Sequence, residues 1–136
     1  MSNQIYGLAR QAFAEGDIAW DADNIKVLLV DTADYTVDID VDQFLSDIPL
    51  AAREHISSNL TGKTTTLGVV DADDVVYAAV PAGDTLEASV IIQDTGVAST
   101  SRLIAYIDTA TGLPVTPNGT DITITWDNGA NKIFKL

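Results

Sequence analysis

Cysteine is absent from these 136 residues, which removes disulfides, thiolate nucleophiles and cysteine-ligated zinc together. Basic residues are scarce, 7 against 20 acidic ones, for a net charge of -13, so the field of the chain repels polyanions and argues against direct nucleic-acid binding. A low cation count also leaves few charge pairs to form with a partner, so association would rest on apolar area and strand edges. No apolar run approaches the roughly 20 residues of a membrane helix, and residues 1–16 lack the basic start and apolar block of a signal peptide. One histidine, His55, allows no histidine pair for a metal, and Ser57 and Ser58 stand too near it in sequence to make a persuasive triad. There is no glycine-rich phosphate loop. These absences predict a protein that is not an enzyme, with no catalytic residues, cofactor or metal and no membrane partner.

What is present is apolar and β-forming. Hydrophobic residues make up 46% and charged residues 20%, the balance of a folded chain, and 136 residues suffice for one core and one domain spanning residues 1–136. Residues 5–15 carry Ile5, Leu8, Ala9, Ala12 and Phe13 at helical spacing, with Ser2 or Asn3 to cap the start and Gly16 to end it, so a helix is expected within residues 1–16. After the isolated aromatic Trp20, residues 25–30 form the first strand, IKVLLV. Residues 31–42 alternate weakly through Tyr35 and Val37, as an edge strand would, and Phe44, Leu45 and Ile48 suggest one helical turn. Residues 56–60, 64–70, 75–80, 86–93 and 102–108 read as further short strands. Turn signals recur between them, which predicts an antiparallel β-sandwich or barrel-like domain.

Residues 102–136 are expected to organise the rest. Asn128-Gly129 suits the two positive φ angles of a type I′ turn, so residues 120–136 read as a tight hairpin, with Ile124 opposite Ile133 and Trp126 opposite Asn131. Ile122, Ile124, Trp126 and Ile133 would then share one buried face.

The acids fall between the apolar runs, as in Asp31, Asp34, Asp38, Asp71, Asp73 and Asp74. Aspartate favours turns by bonding nearby backbone amides, and strand punctuation is the expected role. Three strands end alike, at Asp31, Asp94 and Asp108, and convergence of these would suit calcium. The short connection between residues 86–93 and 102–108 makes those strands antiparallel, however, and puts Asp94 and Asp108 at opposite ends. Asp38, Asp40 and Asp42 resemble the start of a calcium loop, but Gln43 and Pro49 stand where glycine and glutamate belong.

EGDIAWDADNIKVLLVDTADYT at residues 15–36, FLSDIP at 44–49 and SRLIAYIDTATGLPVTPNGTDITITWDNGANKIFKL at 101–136 carry a family likeness. Through them the chain resembles a group of small structural proteins of tailed bacteriophages. The resemblance implies a virion component, a capsid decoration or cement protein on the capsid surface, assembled in the bacterial host cytoplasm. Its partners would be the major capsid protein and neighbouring copies of itself, and its task would be to brace the shell against packaged DNA. Candidate interface residues are Leu8, Phe13, Trp20 and Tyr35. The alternatives are a tail or connector component, or a carbohydrate- or cation-binding adhesion domain using Trp20, Tyr35 and Tyr77 as exposed aromatics.

Overall fold

The structure, a computed structural model, describes residues 3–136. In chain order the elements are β1 (Gln4–Ile5), α1 (Gly7–Glu15), β2 (Ile25–Val30), two short 3-10 turns (Leu45–Asp47 and Leu50–Ala52), β3 (Arg53–Ile56), β4 (Thr64–Thr66) and β5 (Val69–Asp71). They continue with β6 (Val75–Tyr77), β7 (Ala88–Gln93), β8 (Arg102–Ile107), β9 (Ile122–Ile124) and β10 (Phe134–Lys135). The fold is mainly β, with antiparallel sheets and one short N-terminal helix, as expected. Among the described residues no sheet closes into a barrel.

The largest sheet has the order β1-β8-β7-β2-β3. Its inner strands come from the sequence runs that are apolar at nearly every position, and they are buried from Ala88 to Ile92 and from Leu103 to Ile107. Register with alternation puts Val27, Leu29, Ile91 and Ala105 on one face and Leu28, Val30, Val90 and Tyr106 on the other. Both faces are apolar, so both must be covered.

Two small sheets, β10-β5-β4 and β6-β9, make a second layer. Tyr77 of β6 fastens it, its hydroxyl donating to the Val27 carbonyl at 2.7 Å. The Tyr106 face is met by residues 31–42, which are irregular rather than an edge strand. Tyr35 reaches across to share a 2.8 Å hydrogen bond with the Tyr6 hydroxyl, and the Gly7 amide donates to the Ile39 carbonyl. A Cβ on Gly7 would lie 2.8 Å from an Asp40 carboxylate oxygen, so glycine lets this cover approach.

The helix begins two residues later than its apolar spacing suggests, after Tyr6, with no side-chain cap. Asn3, expected as a cap, instead accepts from the Asp108 amide and donates to Thr109; Ser2 lies outside the described residues. Gly16 ends the helix in the left-handed conformation, φ 82°, as expected. Phe44, Leu45 and Ile48 do bracket a helical turn, and the Asp47 carboxylate holds it by accepting from the Gln43 and Phe44 amides.

The C-terminal hairpin does not form. β9 pairs with β6, Ile124 opposite Val75, and β10 pairs with β5, Phe134 opposite Val70. Asp127 accepts from the Gly129 amide at 3.0 Å, an Asx turn that takes the place of the type I′ loop. Ile122, Ile124, Trp126 and Ile133 are nonetheless all buried, because partners distant in sequence supply the edges that a lone hairpin lacks. The tight hairpin lies elsewhere. Residues 64–70, read as one strand, turn back at Leu67-Gly68, whose φ angles of 51° and 81° give the two-residue loop connecting β4 to β5.

Leu67 occupies that left-handed position while 92% exposed, so its side chain recovers no burial for the strain. Leu67→Asn should therefore raise the stability of the isolated protein by about 1 kcal/mol, since asparagine tolerates this conformation. Urea unfolding checks this, and an unchanged or lower midpoint would show that the turn is unstrained.

Candidate interaction site

The four residues singled out as an interface divide in two. Trp20 is 3% exposed, its indole N–H donating to the Asp71 carbonyl at 3.1 Å and its ring edge-on to Phe134 at 5.6 Å. Tyr35 is 4% exposed and donates to Asp42 at 2.7 Å. Both belong to the core and present nothing to a partner: a large aromatic among polar neighbours carries no periodicity to show which way it faces. Tyr77 is buried as well, so the three aromatics that motivated the adhesion reading are interior. Leu8 and Phe13 are half-buried, and Phe13 stacks edge-on to Phe134 at 6.2 Å.

Many of the acids do lock turns. Asp31 accepts from the Ala33 amide, Asp94 from Gly96 and Asp127 from Gly129, whereas Asp74 and Asp121 tie distant segments, accepting from the Trp126 and Ala79 amides. Asp94 stands at the opposite end of β2 from Asp31, beside Lys26 at 2.9 Å, which holds its carboxyl below the usual range. Asp31 gathers instead with Glu54 of β3 and Asp84, one carboxylate oxygen of each lying within 4.8 Å of the others. Hard oxygen ligands at that spacing are of the type that holds calcium. Glu54 and Asp84 lie far from Asp31 in sequence, and no spacing signals their approach. His55, on β3, is half-buried, and Ser57 is occupied structurally, accepting from the Val27 amide and donating to the Ser58 carbonyl.

One surface groove, about 390 Å3, lies where β1 passes β10. Ile5, Ala105 and Ile107 line one side, Ile133 and Phe134 the other. Arg10, Lys132 and Lys135 border it, with Asp127 as the one acid. Two neighbouring depressions share Lys135: one includes Phe13 and Leu136, the other Leu67 and Val69. Leu67 is the most exposed large apolar side chain among the described residues, and the amide of Leu136, itself exposed, binds the Gly68 carbonyl, which brings the chain end against the hairpin tip. Apolar surface and cations thus share one face of an acidic protein. Phe13, one of the four residues singled out from the sequence, borders this face, which three segments distant in sequence meet to form.

No protein-family model matches the chain, and no curated protein matches it.

Four buried phenols make stability depend on pH, Tyr106 being raised by burial like the three that shift most. Burial pushes Tyr6, Tyr35 and Tyr77 well above the ordinary phenol range. A phenol whose folded pKa exceeds its unfolded value of about 10 contributes stability that is complete below that pH and lost as pH rises through the folded value. Unfolding free energy should therefore fall above pH about 10, by up to about 1.4 kcal/mol per pH unit for each phenol. Absorbance of these tyrosinates should appear together with loss of the β-sheet circular dichroism signal; full ionisation in a still-folded protein would contradict their burial.

Proposed function

We propose that this chain is a non-enzymatic structural protein of a tailed-bacteriophage virion, a decoration protein that binds the major capsid protein on the outside of the shell and holds neighbouring subunits together. The phage likeness of residues 15–36, 44–49 and 101–136 supplies the class. The observation that carries a binding role is Leu67, an apolar side chain 92% exposed at a strained turn, beside Lys132 and Lys135. Leucine there stabilises nothing within the chain, and an apolar side chain held out from a rigid hairpin is suited to filling a depression on a partner. The acidic remainder of the surface would disfavour contact with packaged DNA and suits the outer side of a shell.

Particles stripped of this protein should release DNA at a lower temperature than complete particles, and adding the protein back should restore the difference. Leu67→Asn protein, although more stable alone, should restore it poorly. Equal release temperatures with and without the native protein would defeat the shell reading, and full restoration by Leu67→Asn would remove Leu67 from the contact.

A further inference from the structure

We infer that the groove between β1 and β10 takes an acidic, extended segment of the partner chain as an added strand. This rests on the reading of the protein as a binding module, and it names the chemistry that the module recognises.

The first ground is backbone geometry. β1 is the outermost strand of the five-stranded sheet and β10 the outermost of the three-stranded one, and both border this groove. The Tyr6 amide donates to the Ile104 carbonyl, so the alternation of an antiparallel ladder turns the N–H and C=O of Ile5 away from β8, toward the open side. An extended peptide satisfies such groups by strand addition.

The second ground is charge. Four of the seven cations are occupied within the fold: Lys26 by Asp94, Arg53 by the Ile48 carbonyl at 2.8 Å, Lys63 by the Asp23 carbonyl, and Arg102 by Asp17 and the Phe44 ring. The other three, Arg10, Lys132 and Lys135, make no side-chain hydrogen bond or ion pair among the described residues, and all three line this groove. Three cations to one acid, Asp127, reverses locally the excess of 20 acids over 7 bases in the whole chain.

Ile5, Ala105, Ile107 and Ile133 floor the groove but are buried within the fold, so recognition there rests on the open backbone edge of β1 and on the three cations. Nucleic acid would meet the same three cations but be repelled by the rest of a chain at -13. A second copy carries the same net charge and is repelled in the same way.

The test titrates the full-length, isotope-labelled protein with two end-blocked synthetic peptides, one alternating valine and glutamate and the other valine and lysine. The acidic peptide should shift the amide resonances of Ile5, Lys132 and Lys135, and its binding should weaken several-fold from low to moderate salt. A Lys132→Glu, Lys135→Glu double variant, shown by its melting curve to be folded, should bind it at least about tenfold more weakly, as loss of close charge pairs does. Lys132→Gln with Lys135→Gln serves as the milder pair for the case in which reversal disturbs the fold, and is expected to fall between. Equal binding of both peptides, shifts confined to another face, no binding of the acidic peptide, or shifts that follow protein concentration without peptide would each overturn the inference, the last pointing to a second copy. The two proposals fail separately. Peptide binding combined with unchanged DNA release leaves the groove assignment standing and removes the shell, whereas full shell binding by the double-Glu variant does the reverse.

Discussion

Both faces of the central sheet are apolar, and the fold follows from the need to cover each of them. β7 lies between β2 and β8, with its first five residues buried, so water cannot be left on either side. One cover is a β layer that cannot stand alone, since it consists of a three-stranded and a two-stranded sheet with strands of two or three residues. The other has almost no regular structure. Hydroxyl groups bind both covers to the sheet: Tyr77 to the backbone of β2, and Tyr35 to Tyr6 and Asp42. These bonds convert general hydrophobic cover into one position, because a buried hydroxyl without its partner would cost about 1–3 kcal/mol.

How far this was legible from sequence depended on the range of the signal. Residues 25–30 and 102–107 were readable because a strand buried on both faces is apolar at nearly every position. The helix showed its 3.6-residue spacing and its terminal Gly16, but its start could not be read, because the Tyr6 backbone is fixed by pairing with β8 and not by a cap. Asn128-Gly129 misled because turn preference is local, whereas β9 and β10 chose partners 45 to 66 residues away. The turn that was used, Leu67-Gly68, has no sequence signature at its first position. The surface face was the least legible. It depends on which four cations the fold occupies, and that is a property of the folded coordinates and not of any motif.

The acids show how composition and placement separate. A count of 20 suggests a diffuse negative coat, yet many of these carboxylates spend their oxygens on backbone amides, at turns or between distant segments. They serve first as joints of the chain and only second as surface charge. The cations are used more sparingly, and where they are left unpaired they lie beside exposed leucine. A protein with this division has a strongly acidic average and a local cluster of cations, so its net charge does not describe every part of its surface.

The two tryptophans have a consequence of their own. Both donate their indole N–H to one short connection between β5 and β6, Trp20 to the Asp71 carbonyl and Trp126 to the Asp73 carbonyl. No other tryptophan is present, so the tryptophan fluorescence of the protein reports on the junction between its two small sheets. Loosening of that joint would shift the emission of both to longer wavelength together. Trp20 also meets Phe134 edge-on, and Trp126 directly precedes Asp127; Phe134 and Asp127 both line the groove, so both emitters stand close to it. The chain carries within itself an optical reporter of that junction and of the groove beside it.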